Sequence, residues 1–380
     1  MLTKNLFSNT YILYISIVLF SSFFAFCSNA CKRKKKKISF VLLIISFMIL
    51  AFYATCSGVG IDRDHYMYFF TITEKNQLYS GFEPLFNYII VFIKKFTDNP
   101  KAFVMIIGFM TVLFVFVGIF INRYRVNYGF SVLIFSALYY FQSYNLMRIY
   151  FALSILVMFS YLLFKEKYFS YLIVTFFGTF IHYSCIFVFI VALLMVVFEK
   201  TKHTNSSEFE IFILTIIVFA ISFFSKFIVG PVLSLFPSLY LKYSEYLNYD
   251  LSSFGFGWIF NVFPFLLLVF LAKKTNCKNA VVVSKSFYIG MLFLSILGYF
   301  VTMVQRASIL MGVAMIMYIP FTLDNLKKSN KRLFFMNLRF SMRTLKMSIF
   351  VYYMVAFALY LSQYMDLDQI NNYIFIWEMS

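Results

Sequence analysis

Charged residues are scarce in this chain. Asp, Glu, Lys and Arg together make up 13% of its 380 residues, about half the roughly 25% of an ordinary soluble domain. A chain so poor in charge cannot cover a globule with solvated side chains, which excludes a water-soluble fold. The marks of several chemistries are missing as well. No G-x-x-x-x-G-K-[ST] loop occurs, so nothing supports ATP-driven transport. No G-x-S-x-G elbow occurs, so nothing supports an esterase of that type. The five cysteines, Cys27, Cys31, Cys56, Cys185 and Cys277, are odd in number and contain no C-x-x-C pair. A disulfide framework and a cysteine metal site are both unsupported.

What is present is hydrocarbon: 62% of the residues are hydrophobic and 23% aromatic. Mean hydropathy is +0.84. The apolar residues come in continuous runs of roughly 15–22, the length that crosses a bilayer as a helix. They do not alternate in polarity, so a membrane barrel is not indicated. The expected fold is all-α: one integral membrane helix bundle over residues 1–380, with about twelve transmembrane segments.

The net charge of +18 sits in short clusters between the runs. That pattern reports topology and offers sites for anionic lipid headgroups. No soluble basic face exists to bind nucleic acid. Leu6 to Phe26 is followed by Lys32-Arg33-Lys34-Lys35-Lys36-Lys37, which predicts an uncleaved anchor with its N-terminus outside. Ile38 to Ala54 then delivers Gly58–Phe70 to the outer face. Residues 55–100 form an extracytoplasmic loop. Glu83-Pro84 opens a re-entrant or interfacial helix within it, Leu85 to Phe96, because Pro suits a first helical turn and an acid suits its start. Residues 225–257 form a second extracytoplasmic loop, and 322–346 a basic cytoplasmic one. Phe209–Phe224 is read as a further span. Tyr171–Ile181 and Tyr183–Phe198 are two runs meeting at His182, or one long helix that carries His182 to mid-membrane. The shorter runs extend into their flanks, or are broken helices lining a water-filled cavity.

With that sidedness, Asp62, Arg63, Asp64, His65, Glu83, Arg148, His182 and Arg306 gather at the outer face from distant parts of the chain, as sites in helix bundles do. Ionisable groups at membrane depth mark function by default. Arg148 lies one helical turn from Asn145, so both are expected to point the same way. An arginine fork suits phosphate, although Arg148 and Arg306 also fit simple snorkelling. His182 reads as a general base, a donor to phosphate, or a hydrogen-bonded structural group. Asp62 and Asp64 read as parts of a salt-bridged loop, or as carboxylates that orient or deprotonate a hydroxyl. Asp62, Asp64 and His65 could also hold a divalent metal, but no geometry fixes one. Tyr66, Tyr79, Tyr240 and Tyr243 are placed to stack on sugar rings.

The order of these motifs resembles the EpsG / Wzy-type polysaccharide polymerase family. Gly60-Ile61-Asp62 with Tyr66 is similar to its G-x-D-x-x-x-Y element. Asn145-Leu146-Met147-Arg148 with Ala152 is similar to N-x-x-R-x-x-x-A. Phe180-Ile181-His182-Tyr183-Ser184 resembles F-H-x-S, with one residue inserted after the phenylalanine. Arg306 with Tyr318-Ile319-Pro320 resembles its late arginine segment. The family's arginine and aromatic before the glycine are replaced here by Ala54-Thr55-Cys56-Ser57, and Arg63 is the candidate substitute. A glutamine often follows the N-x-x-R arginine; Ile149 stands there.

The resemblance implies a GT-C-like, metal-independent glycosyltransferase of the bacterial inner membrane, with no cofactor. It would transfer a growing glycan from undecaprenyl diphosphate to a hydroxyl of the next lipid-linked repeat unit, on the extracytoplasmic face. Its expected partners are that lipid-linked oligosaccharide and membrane lipid, with a chain-length regulator and a flippase as proteins. On this reading Asp62 activates the acceptor hydroxyl, with His182 and Asp64 as the other catalytic candidates. Arg148, Arg306, Arg63, Asn145, Tyr66 and Glu83 bind substrate. The rival readings are a flippase or transporter of lipid-linked sugars and another extracytoplasmic transferase, such as an O-antigen ligase or an acyltransferase.

Overall fold

The computed structural model describes residues 9–74, 82–200, 216, 256–275, 277–300, 302–329, 333–335 and 338–379. The span expected at Phe209–Phe224, all but the end of the second outer loop at 225–257, and Tyr79, Tyr240 and Tyr243 lie outside the described residues. Apart from one short antiparallel pair, Leu333–Phe335 with Leu338–Phe340, the regular structure is helical.

Two long helices open the bundle, α1 (Asn9–Cys31) and α2 (Lys36–Cys56). They are apolar throughout, so no hydrophobic stripe holds them together. Buried serines do that instead. Ser28 Oγ donates to the Ser39 carbonyl at 2.6 Å and Ser39 Oγ returns a bond to the Ser28 carbonyl at 2.8 Å. Ser46 Oγ donates to the Ser21 carbonyl at 2.7 Å. In lipid, small polar side chains are the usual adhesive between helices.

Helix α3 (Arg63–Ile72) and helix α4 (Pro84–Lys94) are short. Pro84 occupies the first turn of α4, as expected, and 11 residues are too few to cross a bilayer. Lys94 does not reach outward. It is buried, and its Nζ donates to the Thr71 and Thr73 carbonyls at the end of α3. Helix α5 (Pro100–Ile121) follows. Its Gly118 lies so close to helix α7 (Met147–Met158) that an added Cβ would meet the Val157 carbonyl at 2.5 Å.

Between α5 and α7 the backbone changes pitch. Helix α6 (Tyr128–Phe135) runs into a π turn, Ser136–Tyr140, and then a 3₁₀ turn, Phe141–Tyr144. The same happens late in the chain. The short helix Thr302–Gln305 gives way to a 3₁₀ turn, Arg306–Met311, and a π turn, Ala314–Tyr318, before a helix over Ile319–Ser329. Pro320 stands in the first turn of that last helix. The two irregular stretches touch: a Cβ on Gly312 would lie 2.6 Å from the Tyr139 ring. Irregular backbone survives at membrane depth only where protein or a cavity supplies partners.

Residues Tyr161–Phe164 form a single turn, helix α8, and helix α9 (Tyr168–Gly178) and helix α10 (Cys185–Lys200) form a hairpin. The break at residues 179–184 puts His182 in a turn, not inside one long helix. Helix α11 (Phe256–Lys274), helix α12 (Lys278–Phe300) and a final long helix over Met342–Tyr364 complete the bundle.

Among the described residues seven helical segments are long and apolar enough to cross a membrane, and three apolar helices are shorter. The charge clusters led us to expect about twelve crossings. Part of the shortfall is the short helices, where an apolar run ends in a turn before reaching a bilayer's width.

Contacts sort the polar residues to two ends. At one, Lys32 Nζ donates to the Val126 carbonyl at 3.0 Å and lies 3.6 Å from Asp324, while Asn279 donates to the Leu163 carbonyl and accepts from Tyr318 at 3.0 Å. This end carries Lys32–Lys37, Arg123, Arg125, Lys165 and Lys167. At the other end residues 365–379 fold back over the start of the chain. Gly58 N–H donates to the Ile374 carbonyl at 2.8 Å, Ile376 N–H to the Cys56 carbonyl at 2.9 Å, and Tyr14 to the Ile370 carbonyl at 2.8 Å.

Candidate active site

Two motifs from distant positions interlock at this second end. Gly60 has φ +119°, and a Cβ there would collide with the Tyr144 carbonyl and sit 3.3 Å from Asn145 N. Only glycine tolerates both the torsion and the approach. Its place lets the Asp62 N–H donate to Asn145 Oδ1 at 3.0 Å. Asn145 passes the chain of bonds on, its Nδ2 donating to Asp368 Oδ1 at 3.0 Å. Asp368 Oδ2 accepts from the Tyr360 hydroxyl at 2.7 Å. The Ile61 N–H donates to the Asp368 carbonyl at 3.3 Å.

Arg148 goes elsewhere. The helix breaks between Asn145 and Met147, with Leu146 at ψ 56°, so the two side chains diverge and the shared direction expected of them is corrected. Arg148 Nη1 meets Glu83 Oε2 at 2.5 Å. Its guanidinium lies 4.4 Å from the centre of the Phe82 ring and 5.9 Å from that of Tyr66. Tyr66 is buried beneath it, and burial raises the Tyr66 pKa against the pull of Arg148. Arg148 Nε is buried without a hydrogen-bond partner among the described residues.

Glu83 stands just before α4 but does not cap it. Its second oxygen accepts from the Tyr183 N–H at 3.2 Å, and Leu85 N–H donates to the Phe180 carbonyl at 2.8 Å. These bonds fasten the α9–α10 turn, and His182 with it, beside Arg148. His182 Nδ1 accepts from the Ser184 backbone N–H at 3.2 Å. Burial lowers its pKa to about 4; Glu83 opposes that shift, and Arg148 and Arg306 add to it. At neutral pH the ring is therefore uncharged, and with Nδ1 occupied as acceptor its proton is on Nε2. In this form His182 presents an N–H donor at Nε2, while its one lone pair, on Nδ1, is engaged by Ser184.

Arg306 begins the late 3₁₀ turn and is exposed. It makes no hydrogen bond or ion pair among the described residues. It lines a cavity of about 680 Å³ together with Gln142, Asn145, Tyr360, Tyr364 and Asp368. Apolar walls come from Phe265, Met315 and Leu359. A cavity of several hundred cubic ångströms in which polar groups converge between apolar walls is of the size that takes a small ligand. Tyr360 and Tyr364 stack at 6.0 Å on one wall.

Several expected site residues lie elsewhere. Arg63 is 1% exposed, and its Nη2 approaches Met379 Sδ at 2.7 Å under the returning tail. Burial lowers its pKa to about 10. It lines no part of the cavity, because the turn of α3 that exposes Asp64 and His65 points Arg63 inward. Asp64 and His65 face outward, His65 against Phe69 with ring centres 4.2 Å apart. Among the described residues no three His, Cys, Asp or Glu side chains are grouped to hold a metal ion. The residue missed was Asp368. It sits in a tail with no motif, and only its pairing with Asn145, 223 residues away, reveals it.

This is a polytopic helical membrane protein whose two broken helices enclose a polar cavity at one end. A family model, the EpsG family, matches residues 40–375, and the chain belongs to it. The family is associated with Wzy-type polymerases and suggests a membrane polysaccharide polymerase-like, glycosyltransferase-like function. No curated protein and no solved structure matches the chain.

Proposed function

We propose that the protein extends a polysaccharide by moving the growing glycan from undecaprenyl diphosphate to a hydroxyl of the next lipid-linked repeat unit, on the extracytoplasmic side of the bacterial plasma membrane. The observation that carries this reading is Arg306, an unpaired cation among the described residues, in a cavity that also holds amides, stacked tyrosines and a carboxylate. The leaving group is a diphosphate, and negative charge grows on it as the glycosidic bond breaks. Arg306 is placed to meet that charge, and His182, near enough for the Arg306 charge to act on it, presents its Nε2–H as a neutral donor. Arg148, held by Glu83, lies outside the lining of that cavity and serves to fix the His182 turn beside it. The apolar walls suit the polyprenyl chain, and the tyrosine stack suits a sugar ring. The acceptor's proton passes to a carboxylate at the Asn145 junction.

Sidedness supports the same reading. The lysine-rich end is the cytoplasmic one by the excess of basic residues, which turns the cavity outward. The polar groups gather at one end and not at the midplane, where a carrier of lipid-linked sugars would hold them. A flippase and a chain-length regulator fit as partners, the one delivering substrate to the outer leaflet and the other measuring product.

Arg306→Ala should abolish long-chain polysaccharide and leave single repeats on the lipid carrier in the outer leaflet. A normal ladder of glycan lengths from that variant would refute the proposal. Repeats trapped in the inner leaflet would point to a flippase.

A further inference from the structure

We infer that Asp368 is the catalytic base of the transfer, and that Asn145 and Tyr360 are the residues that position it. This rests on the polymerase reading and deepens it. Three carboxylates were available near the Asn145 junction. Asp64 faces outward on α3. Asp62 offers its backbone N–H to Asn145, and neither it nor Asp64 lines the cavity. Asp368 does, across the same space as Arg306.

Its surroundings suit the role. Each oxygen of Asp368 accepts one hydrogen bond from a neutral donor, Asn145 on Oδ1 and Tyr360 on Oδ2. A carboxylate has about four acceptor positions, so two remain. No lysine or arginine forms an ion pair with it among the described residues. The backbone fixes its direction. Asp368 N–H donates to the Tyr364 carbonyl at 2.8 Å, and Gln369 closes the turn at φ +53°, a left-handed torsion that a non-glycine residue adopts only at some expense in energy. A half-buried acid locked by a neutral amide, a phenol and a strained turn is more than a cap for the preceding helix.

The step balances. The acceptor hydroxyl oxygen forms a bond to the anomeric carbon of the donor glycan. The bond from that carbon to the diphosphate oxygen breaks, and its electron pair leaves on undecaprenyl diphosphate, opposite the Arg306 guanidinium. The hydroxyl proton moves to a free position on the Asp368 carboxylate and from there to water.

The test uses the full chain in proteoliposomes and the undecaprenyl-diphosphate-linked repeat unit extracted from cells lacking the gene. Asp368→Asn should lower kcat by about 100-fold or more, the usual contribution of a positioned base, with KM little changed. Tyr360→Phe keeps the ring and removes one hydrogen bond from the charged carboxylate. That raises the base's pKa, so the acidic limb of the kcat profile should move to higher pH. A purely structural Asp368 would leave that limb where it is. Asp368→Asn retaining more than a tenth of wild-type kcat, a loss confined to KM, or an unmoved limb in Tyr360→Phe would each overturn the assignment. If Asp368→Asn does not fold, the Tyr360→Phe profile decides alone. Wild type making polymer while these variants behave normally would sink only the base. Wild type making no polymer would sink the polymerase reading and the base with it.

Discussion

At the residue scale the protein settles questions of role by settling protons. His182 was open to three readings, and one backbone bond bears on them: Ser184 N–H occupies Nδ1, so the neutral ring presents an N–H at Nε2. His182→Gln keeps an N–H donor and should therefore retain more polymerising activity than His182→Ala. Equal losses would mean that something only an imidazole supplies is needed. The same residue sets an acid sensitivity. Its pKa is about 4 in the folded protein against 6.5 ordinarily. Between those values the unfolded chain takes up a proton that the folded one refuses, so stability falls as pH drops through that window. Thermal melts from pH 7 to 4 should show this decline, and it should be shallower in His182→Gln. Glu83 teaches a related lesson. Its place before Pro84 suggested an acid at a helix start, yet both oxygens are used by Arg148 and the Tyr183 N–H, because a half-buried guanidinium needs an anion more than a helix end does.

At the scale of elements, the site lies where regular helix fails. Residues 136–144 and 306–318 leave α-helical pitch, and the cavity opens beside them. Gly60 locks the 58–62 loop to one of these breaks. Gly60→Ala should destabilise the protein by about 1–3 kcal/mol and weaken activity by forcing Asp62 and Asn145 apart; a melting temperature equal to wild type would contradict that. Much of this was legible beforehand. The first apolar runs located α1 and α2 to within a few residues, and the Gly60, Asn145, Arg148 and His182 motifs do converge. Periodicity could not show that Leu146 would split Asn145 from Arg148, since spacing arguments assume an unbroken helix. Nor could it show that Arg63 turns inward while its neighbours face out. Asp368 had no local pattern at all, since its meaning comes from a contact across the chain.

For the whole molecule the separation of charge is the organising fact. Lys32–Lys37, Arg123 and Arg125 share one end, and Asp62, Glu83, Arg148, His182 and Asp368 the other. In spheroplasts expressing a form without native cysteines, Asp64→Cys should react with a membrane-impermeant maleimide. Lys34→Cys should react only after permeabilisation. The reverse pattern would turn the cavity to the cytoplasm and undo the proposed donor. Finally, the strap formed by residues 365–379 bonds to Cys56 and Gly58 near the other end of the sequence, and Asp368 lies within it. The mouth of the cavity thus cannot take shape during synthesis until the final helix and the strap have both been made. A nascent chain stalled short of that point would carry every arginine of the site and still lack the wall that Asp368 supplies.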